Sequence, residues 1–255
     1  MRVINLNEQI NLIVEFIKSQ LISAGFSKLI VGLSGGIDSS VTADLCVKAI
    51  GSDNVFGVML PYRKSHPDSL NHAIEVAETL KIKHEVIDIS PMVDNYFEKY
   101  AIDADILRKG NRMARERMCV LYDLSAKYKA LVAGTGNLSE LMIGYCTQYG
   151  DNACAFEPIG HLYKTEVYKL AEILGLPQSV ITKKPTADLW EGQTDEDEMG
   201  ITYAELDEIL YQMLDLKKDE KELISNFSKE KIGKVKIMIQ TSEFKRNMPP
   251  APEMI

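Results

Sequence analysis

Two rhythms of apolar residues alternate along the first half of the chain. Between residues 7 and 24, Ile10, Ile13, Val14, Ile17 and Leu21 recur at helical spacing, which predicts a helix with one core-facing stripe. Gly25 follows as a stop. Residues 28–33 are short, branched and bounded by glycine, as expected of a buried parallel strand. The alternation continues with a helix over 38–50, a strand over 54–60 ending at Pro61, a helix over 69–80 and a strand over 84–89. A long helix over 111–129 and a strand over 130–134 complete it. Repeated strand–helix alternation predicts an α/β fold on a doubly wound parallel sheet, with ligands beyond the carboxyl ends of the strands.

The second half changes character. Val167, Leu170, Ala171 and Leu174 predict a helix over 164–174, stopped by Gly175-Leu176-Pro177. Residues 186–200 are acidic with weak periodicity and read as a surface loop. Helices return over 203–214, with Thr202 and Glu205 as a capping pair, and over 228–243. Pro249-Pro250-Ala251-Pro252 fits neither a helix nor a central strand. No repeat or linker divides the chain, so residues 1–255 read as a single domain with C-terminal helices.

Composition narrows the classes. A chain of 255 residues, 45% apolar, can support a substantial core without staples. A net charge of −8 argues against a nucleic-acid partner, although it permits a local basic pocket. Cys46, Cys119, Cys146 and Cys154 show no metal-ligand spacing and read as reduced, buried thiols. Neither a signal segment nor a membrane-spanning run stands out, so a soluble cytoplasmic protein is expected.

The candidate chemistry begins at Gly32-Leu33-Ser34-Gly35-Gly36-Ile37-Asp38-Ser39-Ser40, where a strand turns into a helix start. The spacing matches neither the phosphate loop with a lysine nor the dinucleotide-binding glycine pattern. Small residues let backbone amides approach an anion, and Ser34, Ser39 and Ser40 add hydroxyls. Asp38 beside phosphates is repulsive unless a cation bridges them, which implies Mg²⁺; the alternative is a tight turn capped by Asp38. A second strand end, Gly134-Thr135-Gly136-Asn137-Leu138-Ser139-Glu140, offers a hydroxyl at Thr135 and a carboxylate at Glu140. Glu140 alone reads equally as a solvated helix-face acid or a hard-cation ligand. Asp38 and Glu140 converge only if their strands are neighbours. Lys164, in the first turn of a helix, has the bland reading of a solvated lysine. Arg115 and Arg117 read as surface arginines, and Tyr145 and Tyr149 as core packing, unless a ligand claims them.

The loop at Ser34 resembles the pyrophosphate loop of the ATP pyrophosphatases, and the rest of the chain selects a branch of that superfamily. Asn111-x-x-x-Arg115-x-Arg117-Met118, Gly134-Thr135-x-Asn137-x-Ser139-Glu140 and Gln148-Tyr149-Gly150-Asp151 resemble the short, ammonia-dependent NAD synthetases. Glu157-Pro158-Ile159, Leu162-Tyr163-Lys164, Lys184-Pro185-Thr186-Ala187-Asp188-Leu189-Trp190 and Gln193-Thr194-Asp195-Glu196 continue the match. The resemblance implies an adenine nucleotide alpha hydrolase-like fold and a ligase that makes NAD from deamido-NAD, ATP and ammonia through an acyl adenylate. It implies that residues 32–40, Arg115, Thr135, Lys164 and Thr186 contact ATP, with Asp38, Lys164 and Thr186 at the reacting phosphates. By the same resemblance, Asp38 and Glu140 bind Mg²⁺. The resemblance also implies that Arg115, Tyr145, Tyr149 and Asp151 meet deamido-NAD, which binds across a homodimer interface. Met118, Leu121, Tyr122 and Leu124 of the long helix read either as part of that interface or, at least as readily, as core packing. No cysteine remains for a separate glutaminase centre, so free ammonia is the expected donor. Two departures stand out: Ala155 replaces an expected acidic residue, and Phe244 replaces a frequent histidine. Another enzyme of the superfamily and a non-catalytic nucleotide-binding protein are the alternatives.

Overall fold

The structure is a computed structural model that describes residues 2–63, 65–190 and 192–252. Helix α1 (Leu6–Ala24) is capped by the Asn5 side chain and ends at Gly25, which adopts the left-handed φ of 72° that glycine tolerates without strain. Ile13 and Ile17 on its inner face are fully buried, each contributing roughly 1.5–3 kcal/mol. After it come β1 (Leu29–Gly32), α2 (Ile37–Ile50), β2 (Val55–Met59), α3 (Pro67–Thr79) and β3 (Lys83–Val86). Helix α3 begins two residues before the predicted start because Pro67 occupies its first turn and His66 caps it.

A helix that the apolar pattern does not predict, α4 (Ser90–Tyr100), precedes α5 (Ile106–Tyr128), β4 (Leu131–Ala133) and the short α6 (Leu138–Ile143). Only Val93 and Phe97 of α4 carry its apolar stripe, a short signal in an otherwise polar stretch. Then come α7 (Lys164–Leu174), α8 (Gln178–Ile181), α9 (Asp195–Met199), α10 (Tyr203–Leu210), α11 (Glu220–Ile224) and α12 (Lys229–Thr241). A π-helical turn at Tyr211–Asp215 extends α10.

The four strands are parallel, in the order β3-β2-β1-β4. Alternate residues serve opposite faces. Leu29 and Val31 of β1, with Val55 and Met59 of β2, join the core under α1, α2, α3 and α7. Ile30 and Val58 point the other way, against Val93, Phe97, Met113 and Leu124 of α4 and α5. Burial on both faces explains the continuous apolar runs of β1 and β2, whereas β3, at the sheet edge, is polar and largely exposed. A third core, around Leu206, Ile209 and Val235, binds the C-terminal helices to α6.

The chain moves from β1 outward to β2 and β3, then returns to place β4 on the other side of β1. That reversal opens a crevice at the carboxyl ends of β1 and β4. Among the described residues no helix is long and apolar enough to cross a membrane. All four cysteines are free; Cys46 is buried, but Cys119 is exposed, contrary to the expectation of uniformly buried thiols.

Candidate functional site

A cavity of about 630 Å³ occupies the crevice, within the size range of ligand sites. Gly32, Leu33, Ser34, Gly36, Ile37, Asp38 and Ser39 enter it from the β1–α2 turn. Thr135 and Glu140 enter from the β4–α6 turn, Tyr145 and Asp151 from the following segment, and Lys164 and Thr186 from farther along the chain. Four predicted residues lie outside the lining. Gly35 packs backward, where a Cβ would stand 2.1 Å from Ser69 O. Ser40 is buried beneath the turn and donates to Gly36 O at 2.8 Å. Arg115 is exposed, with Nε donating to Gln148 O at 3.2 Å. Tyr149 is 55% exposed.

The turn after β1 is built for an anion. Helix α2 starts at Gly36 with no side-chain cap, leaving first-turn amides for a ligand. Ser34 Oγ and Ser39 Oγ lie 3.1 Å apart, and Ser39 donates to Gly36 O at 3.0 Å, so the hydroxyls are held in place.

Asp38 and Glu140 do converge, because β1 and β4 are neighbours. Asn137 joins them: its Nδ2 donates to Asp38 Oδ1 at 2.9 Å, and its Oδ1 caps α6 by accepting from Glu140 N at 3.0 Å. Asn137 is fully buried, and its N-cap position alone does not announce the contact with Asp38.

Lys164 is not the solvated lysine that its place in the helix suggests. The residue is 2% exposed, and its Nζ is ion-paired with Asp38 and, at 3.0 Å, with Glu140. It also lies 5.0 Å from the ring centroid of Tyr203. Its backbone N donates to Ser139 Oγ at 2.9 Å, while Ser139 donates to the buried Asp207, fixing the start of α7 against α6 and α10. Burial disfavours the ammonium, but Asp38 and Glu140 outweigh it and raise the Lys164 pKa. Burial pushes the Glu140 carboxyl up to about 7, against the attraction of Lys164 and with the repulsion of Asp38.

The acidic stretch after Thr186 is likewise not a simple surface loop. Asp195 is 4% exposed and accepts from Tyr145 Oη at 3.1 Å and Tyr203 Oη at 3.2 Å. Tyr203 Oη also lies within hydrogen-bond distance of Glu140 Oε1, at 3.1 Å, so its one proton is shared between two carboxylates and links this stretch to the Lys164 cluster. Burial raises the pKa values of Asp195 and Asp151.

Arg117, rather than Arg115, reaches the cavity. Its Nε donates to Leu60 O at 3.0 Å, and among the described residues no carboxylate lies within 4.0 Å of its guanidinium. Burial lowers its pKa, with distant Asp188 and Asp151 opposing. A desolvated guanidinium facing a cavity is a receptor for a planar carboxylate or a phosphate.

Residues 9–249 match the NAD synthase family. The chain belongs to that family. An NH3-dependent NAD(+) synthetase of Fusobacterium nucleatum is 50% identical over 247 residues, covering 96% of this chain and 95% of the relative. The fold also superposes on an NMN synthetase from Francisella tularensis, with a TM-score of 0.89, 32% identity and coverage of 99% and 100% of the two chains. An NH3-dependent NAD synthetase from Campylobacter jejuni gives a TM-score of 0.84 at 33% identity, covering 98% of this chain and 100% of that one.

Within this NAD synthase fold, the donor set at Asp38 and Glu140 suits Mg²⁺. Among the described residues no group of three or more acidic, histidine or cysteine side chains forms a complete metal cage. Two carboxylates sharing one counter-ion are instead the partial oxygen set that Mg²⁺ takes when phosphates and water complete its shell.

Proposed function

We propose that the protein is an ammonia-dependent NAD synthetase, an AMP-forming ligase that acts as one domain. An oxygen of the deamido-NAD carboxylate attacks the α-phosphorus of ATP, the bond to the bridging oxygen breaks, and pyrophosphate leaves. Ammonia then attacks the acyl-adenylate carbonyl, AMP departs with the electron pair of the broken carbon–oxygen bond, and the extra proton on nitrogen passes to solvent. The observation that carries this reading is the meeting of the uncapped α2 turn, Asp38, Glu140 and Lys164 in one cavity at the β1–β4 reversal.

The residues divide the work. Ser34, Gly36 and Ser39 orient the phosphates through amides and hydroxyls. Thr135 and Thr186 add hydroxyl donors along the ATP path. Asp38 and Glu140 would hold Mg²⁺, which would neutralise charge on the phosphoryl oxygens. Lys164 turns its ammonium toward those oxygens. Tyr145 and Asp151 bound the nicotinate end. Arg115 and Tyr149, outside the cavity, suit a dinucleotide that crosses to a second subunit.

A homodimer fits the exposed apolar surface, though not all of the positions predicted for it. Met118 and Leu121 line the cavity and Leu124 is buried, leaving Tyr122 exposed. Tyr96, Tyr100, Ile102, Ile106 and Leu107, around the start of α5, are also exposed. A cytoplasmic location suits the four free thiols.

Purified protein incubated with deamido-NAD, ATP, Mg²⁺ and ammonium should yield NAD with matched AMP and pyrophosphate. ADP as the product rules out the mechanism, and no NAD from folded protein rejects the reading. Light scattering under assay conditions tests the dimer, which a fully active monomer rejects. The likeness to an NMN synthetase favours one second reading, amidation of the mononucleotide, which is decided by the same assay with nicotinic acid mononucleotide.

A further inference from the structure

Like Arg117, Lys183 is a cation in the cavity with no carboxylate within 4.0 Å among the described residues, and it has no part in the chemistry above. Lys183 follows α8, and its Nζ donates to Ser69 Oγ at 2.9 Å and approaches Gly35 O at 3.4 Å. Both contacts are neutral. Among the described residues no carboxylate lies within 4.0 Å of Lys183, whereas Lys164 has two. Burial lowers the Lys183 pKa, and Asp188 and Asp68 offset this only from a distance. A partly buried charge held by dipoles alone is poorly compensated until an anion joins it.

Its position identifies the anion. Gly35 sits at φ +71° against Ser69, so the glycine turn and α3 touch, and Lys183 bridges the two. The uncapped amides of α2 and the hydroxyls of Ser34 and Ser39 face the same cavity. Lys183 therefore flanks the polyphosphate seat through its contacts with Gly35 and Ser69.

We infer that Lys183 grips the pyrophosphate end of ATP and stabilises pyrophosphate as it leaves, an inference that rests on the proposed synthetase reaction. As the bond from the α-phosphorus to the bridging oxygen breaks, its electron pair goes with pyrophosphate. Charge then grows beside an ammonium whose contacts are the neutral Ser69 Oγ and Gly35 O. Such a contact strengthens in the transition state more than in the ground state.

The test compares Lys183→Met and Lys183→Arg with wild type. Inorganic pyrophosphate binding in the presence of Mg²⁺ is measured by calorimetry, alongside kcat, KM and thermal midpoint. In Lys183→Met the pyrophosphate Kd should rise about tenfold or more and kcat should fall about tenfold, with KM for deamido-NAD within about twofold. Lys183→Arg should recover most of the pyrophosphate affinity. Unchanged pyrophosphate binding in Lys183→Met overturns the inference. So does a loss that tracks a lowered thermal midpoint and is not rescued by arginine, which leaves Lys183 only as a tether to Ser69. Wild type that binds pyrophosphate but forms no NAD sinks the synthetase reading while leaving the binding result intact.

Discussion

Glu140 Oε1 lies 3.0 Å from Lys164 Nζ, and the same ammonium pairs with Asp38. One lysine thus spans the ends of β1 and β4, between the two carboxylates that would hold Mg²⁺ in the proposed reaction. In the free protein the buried Lys164 is the counter-ion that makes two part-buried carboxylates compatible. In the proposed reaction the ATP phosphates would take the ammonium, and Asp38 and Glu140 would then be free to hold Mg²⁺.

Removing that counter-ion should therefore do more than abolish turnover. Lys164→Met leaves two part-buried carboxylates uncompensated and should cost up to roughly 3–5 kcal/mol of stability. Glu140→Gln keeps the Lys164–Asp38 pair and should cost less, while still impairing catalysis. Adding Mg²⁺ without nucleotide should restore part of the stability of Lys164→Met. Urea unfolding with and without Mg²⁺ checks both points; full wild-type stability in Lys164→Met contradicts the assigned cluster.

A pH effect should come from Glu157. Its Oε2 accepts from Gly136 N at 2.9 Å and its Oε1 from Cys154 Sγ at 3.2 Å. Burial pushes its pKa from the ordinary 4.5 up to about 7. Between those values the folded state holds a proton that the unfolded chain has lost. The contribution is full below pH 4.5 and is lost as pH rises through about 7. Wild type should therefore lose stability relative to Glu157→Gln across that window. Urea midpoints for the two proteins from pH 4 to 8 measure the difference, and parallel curves refute it.

The parts of the site legible in the sequence are those fixed by local chain geometry. The Ser34 turn and the Glu140 turn each follow a strand directly, and parallel alternation puts both at the same end of the sheet. Glycine stops such as Gly25 and Gly175 are equally plain. The burial of Lys164 is not legible, because it depends on Asp38, 126 residues away, and no local pattern encodes that pair. Asp195 is hidden for a similar reason: an acidic run looks solvated until Tyr145 and Tyr203 bring hydroxyls to it. Arg115 and Arg117 lie two residues apart on α5, so they face different directions, and only the packing of the helix decides which meets the cavity.

That choice between arginines leads to opposite effects on stability and activity. Arg117 is desolvated and, among the described residues, has no carboxylate within 4.0 Å, so Arg117→Met removes an unfavourable charge while keeping apolar bulk. Stability should be unchanged or should rise by about 1 kcal/mol. The kcat/KM for NAD formation should nevertheless fall about 10–100-fold, because the substrate anion loses its fork of donors. Arg117→Lys should recover little of it. Steady-state kinetics beside urea unfolding tests the pair of effects; lower stability with normal kinetics makes Arg117 a structural residue.

Two glycines with the same backbone angle separate strain from contact. Gly25 has φ +72° with nothing within 4 Å of where a Cβ would stand, whereas Gly35 has φ +71° with Ser69 O at 2.1 Å and Ala73 N at 3.1 Å from that point. Gly25→Ala should cost only the left-handed conformation, about 1 kcal/mol, and leave turnover intact. Gly35→Ala meets the same conformational cost plus a clash with the α3 backbone, which no side-chain rotation can relieve. Its stability loss should exceed that of Gly25→Ala by about 1–3 kcal/mol. The turn must then move away from α3, carrying the phosphate-facing amides with it, so ATP binding should weaken more than the stability loss explains. Urea unfolding gives the first quantity, and calorimetry with ATP on the folded protein gives the second. Equal costs for the two substitutions would mean that the close approach of Gly35 to Ser69 does not constrain the loop.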